Sequence, residues 1–164
     1  MRSDVAVLFD LDSTLVDSRL AVRDSWLQLA DEAGFDPRQM KGMHGIPAEG
    51  CLRILLPNED EAGIAKWTAR IEHIEVAAMS GIVAIDGAHE LIAALASRNI
   101  PWAIVTSCTR PLADARIKAA ALPAPGALVT FSDVTHGKPH PEPFLLRSEE
   151  HTSELQSHLN LVCR

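Results

Sequence analysis

A short apolar run near the N-terminus constrains the fold more than any other feature of this sequence. Residues 5–9 read Val-Ala-Val-Leu-Phe, and the run ends abruptly at Asp10. Because no polar residue alternates with the apolar ones, the run predicts a β-strand buried on both faces, as in a parallel sheet. Ligands bind at the carboxyl ends of parallel strands, so Asp10 and Asp12 are predicted to lie at a functional site. Two unpaired carboxylates there would repel each other, which predicts a nearby cation or a shared proton.

The following segment, residues 16–82, carries only helical patterns and no strand signal. Its apolar residues recur three or four positions apart in three groups, which are Val22, Trp26, Leu29 and Ala33; Leu52, Leu55 and Leu56; and Ile64, Trp67, Ile71, Ile74 and Ala78. This spacing predicts three helices, of which the first ends at Gly34 and the second before Pro57. Trp26 and Trp67 lie on the apolar stripes, so they are predicted to be core residues.

Beyond Gly87 the pattern alternates between helix and strand. Residues 102–105 suit a buried strand, residues 112–121 a helix and residues 127–129 a short third strand. Strands that alternate with helices are typical of an α/β fold with a parallel sheet. The helical segment is then an insertion between the first strand and the remainder of the sheet.

Charge and cysteine content exclude several classes of protein. The 164 residues include 15 Lys and Arg against 22 Asp and Glu, for a formal charge of −7 without a basic cluster. We therefore expect neither a nucleic acid nor a membrane as partner. Cys51, Cys108 and Cys163 are too far apart for a disulfide framework or a paired metal site and are predicted to be buried or incidental thiols. The apolar run at the N-terminus is too short for a signal peptide or a membrane span, which predicts a cytoplasmic protein.

Polar groups also follow the second and third predicted strands. Thr106 and Ser107 end the second strand, where hydroxyls and free backbone N–H groups bind anions. Lys138 lies in residues 137–142, Gly-Lys-Pro-His-Pro-Glu, a loop that two prolines stiffen and in which Gly137 lets the chain turn. An isolated Asp-x-Asp pair often only caps backbone N–H groups. Hydroxyls and a lysine on the other two strands instead predict a site for a small anion.

These segments resemble the signatures of the haloacid dehalogenase-type phosphatases. Residues 9–18, Phe-Asp-Leu-Asp-Ser-Thr-Leu-Val-Asp-Ser, resemble the first signature, residues 104–107 the second and residues 137–142 the third. The family usually has glycine where this chain has Ser13, which reduces the freedom of the turn. The resemblance covers about residues 4–146. It implies a Rossmann-like parallel sheet core, residues 1–15 and 83–146, with an inserted, mobile α-helical cap, residues 16–82.

The resemblance also implies a catalytic role for each residue of the signatures. Asp10 would attack phosphorus and form an aspartyl-phosphate, and Asp12 would protonate the leaving alkoxide and then deprotonate the hydrolytic water. Thr106 and the N–H of Ser107 would bind phosphoryl oxygens, and Lys138 would neutralise charge there. Mg²⁺ would lie between the carboxylate of Asp10, the backbone carbonyl of Asp12 and an acidic residue of a fourth signature.

The substrate is expected to be a small phosphorylated metabolite. An acid at Asp12 favours a phosphatase or phosphomutase over a dehalogenase, because a halide leaves without a proton. His44 and Gly45 before a helix resemble the sugar- and polyol-phosphate phosphatases of this family, and with Glu75 they are candidate substrate contacts. A surface loop histidine is an equally good interpretation of His44.

Functions outside this enzyme class also stay open. A receiver-type phospho-acceptor module uses clustered Asp, Thr or Ser and Lys residues as well. Its acceptor Asp lies on a later strand and no helical insertion follows its first strand, so residues 16–82 argue against it. A non-catalytic remnant is the second alternative.

The last segment, residues 147–164, resembles a translated sequencing adapter and is expected to be a non-native tail. The C-terminal strands of the core and the fourth signature, with its acidic metal ligand, are then missing. We expect the first strand to have an open hydrogen-bonding edge, and the chain to bind Mg²⁺ weakly, to be only weakly stable and to show little turnover.

Overall fold

The computed structural model describes residues 6–43 and 46–151. For residues 147–151 it describes the backbone alone. The chain divides into two compact units, one up to Ser18 and from Ile82 onward, the other Arg19–Gly81. The strands are β1 (Val7–Phe9), β2 (Val16–Asp17), β3 (Val83–Ala84), β4 (Trp102–Val105) and β5 (Leu128–Val129). The helices are α1 (Arg19–Ala33), α2 (Ala48–Leu55), α3 (Glu61–Ala77), α4 (Ala88–Ser97), α5 (Arg110–Ala119) and α6 (Glu142–His151), with 3₁₀ turns at Pro37–Met40 and Phe131–Asp133.

A three-stranded parallel sheet organises the first unit. The strand order is β1-β4-β5, with Phe9 opposite Ile104 and Val105 opposite Val129. This register brings the carboxyl ends of all three strands to one edge of the sheet, as the parallel arrangement requires. The α/β fold with a parallel sheet that the pattern predicts is confirmed.

The prediction that the first strand is buried on both faces is wrong. All three side chains of β1 are half-buried, whereas Ala103, Ile104 and Val105 of β4 are buried. Within the described residues β1 pairs with β4 alone and β4 is the central strand, which agrees with the open hydrogen-bonding edge expected for the first strand. Two apolar runs with the same pattern thus differ in burial because of their positions in the sheet.

The prediction of an entirely helical segment from residue 16 to residue 82 also needs a correction. Val16 and Asp17 form β2, which pairs antiparallel with β3, Val16 opposite Ala84 and Asp17 opposite Val83. The chain therefore leaves the first unit and returns to it through two paired strands. A strand of two residues is too short to show a period in the sequence, which is why the pattern does not reveal it.

Helices α1, α2 and α3 build the second unit around its own apolar core. Its buried residues are Leu29, Ala30, Phe35, Cys51, Leu52, Leu55, Ile64, Ile71 and Ile74. Trp26 and Trp67 are partly buried and pack against this core, which confirms their predicted role. Gly34, at φ 77°, follows the end of α1 as predicted, because the left-handed conformation suits glycine.

Two cysteines lie in the described part of the chain, and both are buried free thiols. Burial raises the pKa of the Cys51 thiol in the second unit. Cys163 lies outside the described residues. Among the helices that are described, none combines the length and the apolar character needed to cross a membrane.

Candidate active site

An ion pair joins two distant segments at the carboxyl edge of the sheet. Lys138 Nζ lies 2.8 Å from Asp10 Oδ1 and donates a hydrogen bond of 3.1 Å to the carbonyl oxygen of Val105, the last residue of β4. The backbone N–H of Leu11 also donates to Asp10 Oδ1, at 2.8 Å. The lysine side chain is 20% exposed and that of Asp10 is 47% exposed. The carboxylate is thus oriented by two donors and still accessible to a ligand.

Glu142 holds the loop that carries Lys138. Its carboxylate accepts hydrogen bonds from the backbone N–H groups of Thr135, at 2.7 Å, and His136, at 2.9 Å. The hydrogen bond from Thr135, the largest cause, holds the pKa of Glu142 below its usual value. Gly137 packs closely against the phenyl ring of Phe131. A Cβ atom at position 137 would lie only 3.0 Å from that ring. This close contact, rather than a positive φ, explains the glycine.

Three donors surround the carboxylate of Asp12. Ser18 Oγ donates to Oδ1 at 2.6 Å, and Arg116 Nη1 and Cys108 Sγ donate to Oδ2 at 2.8 Å and 3.0 Å. Arg116 is 5% exposed and also contacts Cys108 Sγ, at 3.1 Å. Hydrogen bonds to a charged partner are strong when they are shielded from water, so this set fixes the orientation of the Asp12 side chain.

Cys108 is a hydrogen-bond donor to Asp12 and not an incidental thiol. Burial, followed by the negative charge of Asp12, raises the pKa of its thiol to about 12. The thiol is therefore protonated near neutral pH, which suits a donor and excludes a thiolate nucleophile. The prediction of a buried thiol is confirmed, but the contact with the predicted acid is a finding of the structure.

The sequence pattern does not identify Ser18, Cys108 and Arg116 as neighbours of Asp12. Arg116 carries the only signal that a sequence offers, since it lies on the apolar face of α5 that also contains Leu112, Ala113 and Ile117. A charged residue on a buried helix face requires a partner of opposite charge. The pattern does not say which acid of the chain is that partner.

Thr106 and Ser107 follow β4 and differ in exposure. Thr106 is buried; its N–H donates to the carbonyl of Val129, and its hydroxyl accepts a hydrogen bond of 3.1 Å from the N–H of Cys108. Ser107 is exposed. Thr106 thus shapes the turn at the end of β4, and Ser107 is the more accessible of the two hydroxyls.

Ser13, at the position where the resemblance implies glycine, adopts the left-handed conformation. Its φ is 61°, and its N–H donates to the carbonyl of Val16 at 2.8 Å. This turn redirects the chain directly after Asp12. A side chain at positive φ is strained, which confirms the expected restriction of the turn.

The oxygen donors at the end of β1 are of the type that binds a hard divalent cation. The accessible carboxylate of Asp10 and the backbone carbonyl of Asp12 are hard oxygen ligands of the kind that Mg²⁺ prefers, completed in most proteins by water. The carboxylate of Asp12 is already engaged by Arg116. The carbonyl, and not the side chain, of Asp12 therefore suits a metal ligand.

The predicted substrate contacts belong to the second unit or lie outside the described residues. Glu75 is half-buried on α3. His44 and Gly45 lie outside the residues that the structure describes, as does the tail beyond residue 151. Their roles stay predictions.

Comparisons with known proteins agree with the signatures. Residues 7–159 match the family of haloacid dehalogenase-like hydrolases. The matched residues include part of segment 147–164, which the sequence predicts to be a non-native tail. Hexitol phosphatase A of Escherichia coli is 45% identical over 143 residues, 87% of this chain and 66% of that protein. The 2-deoxyglucose-6-phosphate phosphatase 1 of Saccharomyces cerevisiae is 32% identical over 146 residues, 82% of this chain and 59% of that protein.

A solved structure supports the same assignment. A hydrolase from Pseudomonas syringae superposes with a TM-score of 0.76 at 26% identity, over 90% of this chain and 70% of that one. The chain spans less than two thirds of the length of both curated relatives. The family match nevertheless covers most of the chain and includes all three signatures, with Asp10, Asp12 and Lys138. The chain therefore belongs to the haloacid dehalogenase-like hydrolase family.

Proposed function

We propose that this protein is a Mg²⁺-dependent phosphatase that hydrolyses small sugar or polyol phosphates through an aspartyl-phosphate on Asp10. The observation that carries the proposal is the ion pair of 2.8 Å between Asp10 and Lys138, next to an oriented second carboxylate, Asp12. An accessible carboxylate beside a cation is suited to approach a phosphoryl dianion that it would otherwise repel.

In the first step an oxygen of Asp10 attacks phosphorus, and the bond from phosphorus to the leaving alkoxide breaks. Asp12, in its protonated form, transfers a proton to that alkoxide, so that the products are a neutral alcohol and an acyl phosphate on Asp10. Lys138 offsets the charge on the phosphoryl oxygens, and the N–H of Ser107 and the hydroxyl of Thr106 bind them.

In the second step a water molecule attacks phosphorus of the acyl phosphate. Asp12, now a carboxylate, takes a proton from this water, and the bond between phosphorus and the Asp10 oxygen breaks. Inorganic phosphate leaves, and both aspartates return to their starting protonation states. The three donors around Asp12 hold its carboxylate in one orientation and stabilise its charge, which suits the base that takes a proton from water in this step.

Mg²⁺ would be held by the carboxylate of Asp10 and the backbone carbonyl of Asp12, and it would supply further positive charge to the phosphoryl oxygens. The substrate class is supported by the relatives, which are named for a hexitol and for 2-deoxyglucose 6-phosphate. We assign substrate contacts to His44, Gly45 and Glu75 in the helical segment, which would act as a cap.

The test is the release of inorganic phosphate from a hexitol phosphate and from p-nitrophenyl phosphate, with Mg²⁺ and with a chelator. We expect turnover that is low, as the sequence predicts for this chain, that is sensitive to the chelator and that is lost in Asp10→Asn. Asp31→Asn, at an exposed aspartate of α1, is the matched control and should retain full activity.

Asp12→Asn separates the acid from the nucleophile. A nitrophenolate leaves without a proton, so kcat/KM should fall by about 10²–10⁴ for the hexitol phosphate and by less for p-nitrophenyl phosphate. Equal losses for both substrates contradict the role of Asp12 as acid. Accumulation of an isomeric phosphate in place of inorganic phosphate would establish a phosphomutase, and turnover unchanged in Asp10→Asn would overturn the proposal.

A further inference from the structure

Two histidines of the loop that follows the sheet cluster with Glu142, the first residue of α6. Each of the three residues, His136, His140 and Glu142, offers one ligand atom, and these three atoms all lie within 4.8 Å of one another. We propose that this cluster binds a first-row divalent transition metal, with Zn²⁺ as its best fit. The site uses none of the residues that we assign to phosphoryl transfer, so it goes beyond the proposed function and does not rest on it.

The spacing of the three side chains suits a tetrahedral metal. His136 Nδ1 lies 2.9 Å and His140 Nδ1 lies 3.8 Å from Glu142 Oε2, and the two imidazole centroids are 4.8 Å apart. Metal–ligand distances of about 2.0–2.2 Å in a tetrahedral zinc site place neighbouring ligand atoms about 3.3 Å apart. The two distances from the histidines to Glu142 lie on either side of this value. His140 Nδ1 accepts a hydrogen bond of 3.2 Å from the N–H of Glu142, and a metal would take the place of that donor.

The loop itself restricts the three ligands to a small region. They follow one another at positions 136, 140 and 142, and Pro139 and Pro141 between them limit the backbone. Glu142 is further oriented by the backbone N–H groups of Thr135 and His136. A site whose ligands are already close loses less conformational entropy on binding than one assembled from a free chain.

The donor set selects the type of metal. Imidazole nitrogen is a good ligand for Zn²⁺ and neighbouring transition metals, whereas Mg²⁺ demands oxygen donors. The side chains of His136 and His140 are 64% and 51% exposed, so a metal can enter from solvent and keep water in its remaining position. The site therefore differs in chemistry from the oxygen donors at Asp10 and Asp12.

The test is calorimetric titration of the 164-residue chain with Zn²⁺ and, separately, with Mg²⁺. We expect Zn²⁺ binding that weakens by more than about tenfold in the double variant His136→Ala/His140→Ala, since even residues that only support metal ligands change affinity by that factor. Glu142→Gln should weaken Zn²⁺ binding as well. Because both imidazoles are exposed, circular dichroism of the double variant should match that of the unmodified chain.

The matched control removes two other exposed imidazoles, in His73→Ala/His89→Ala, and should leave this binding event unchanged. Asp10→Asn should also retain it, which separates this site from the catalytic one. The proposal is overturned if His136→Ala/His140→Ala binds Zn²⁺ as tightly as the unmodified chain. It is equally overturned if the control variant, or Asp10→Asn, loses as much affinity as that variant.

Discussion

Arg116 is the buried cation that faces Asp12, and its removal tests the role of the donors around that carboxylate. Arg116→Met keeps most of the apolar stem and removes the hydrogen bonds to Asp12, at 2.8 Å, and to Cys108, at 3.1 Å. The Arg116 side chain is 6% exposed, and that of Asp12 is 29% exposed. The arginine side of the pair is thus shielded from water, whereas Asp12 regains part of its hydration when the arginine is lost.

The magnitude follows from this partial exposure. Breaking a fully buried pair costs about 3–5 kcal/mol, and a hydrogen bond to a charged group is worth about 1.5–3 kcal/mol. Since Asp12 stays accessible to water, we expect the free energy of unfolding to fall by about 2–3 kcal/mol. With a denaturant slope of about 2 kcal/mol/M, the urea midpoint should decrease by about 1–1.5 M.

The assay follows the first unit alone. The chain has three tryptophans, of which Trp102 lies on β4 and Trp26 and Trp67 lie in the second unit. In a background with Phe at positions 26 and 67, the fluorescence of Trp102 therefore reports the unfolding of the sheet. All variants are compared in this background, so that any effect of the two tryptophan substitutions cancels.

The matched control lies on the same helix. Arg110 pairs with Asp114 at 3.2 Å, and both side chains are more than half exposed. Arg110→Met should change the free energy of unfolding by no more than about 0.5 kcal/mol, because exposed pairs contribute little. A midpoint of Arg116→Met within about 0.25 M of the parent value, or equal to that of Arg110→Met, would refute the reasoning.

Two further predictions concern the turn after Asp12 and the acid stability of the second unit. Ser13→Gly removes a strain of about 1–2 kcal/mol at φ 61° and adds an entropic cost of about 0.5–1 kcal/mol, so the free energy of unfolding should rise by about 0–1.5 kcal/mol. A lower melting temperature contradicts this. Hydrogen bonds from Arg70, the largest cause, lower the pKa of Glu32 from 4.5 to about 2. A lowered pKa stabilises the fold above the unfolded-state value, so the difference in melting temperature between the unmodified chain and Glu32→Gln should vanish as the pH falls from about 4.5 to about 2. Glu90→Gln, at an exposed glutamate of the first unit, is the matched control.

The composition of the candidate site was only partly predictable. The residues at the strand ends, Asp10, Thr106 and Ser107, follow from the sequence because strand ends of a parallel sheet share one edge. Lys138 follows from its place beyond the third strand. The donors to Asp12 do not follow, because Cys108 and Arg116 are 96 and 104 residues away in the chain. Local patterns carry no information about contacts at such separations.

The sequence by itself determined the class of fold, the position of the helical segment and the residues that meet at the strand ends. These features depend on the periodicity of apolar residues and on strand direction, which are properties of short segments. The tertiary structure alone decided that the side chains of β1 are half-buried and most of those of β4 are buried, although both strands consist of apolar runs. It also decided that a buried arginine and a protonated thiol contact Asp12. Burial and pairing depend on neighbours from distant parts of the chain, and only the folded structure brings those neighbours together.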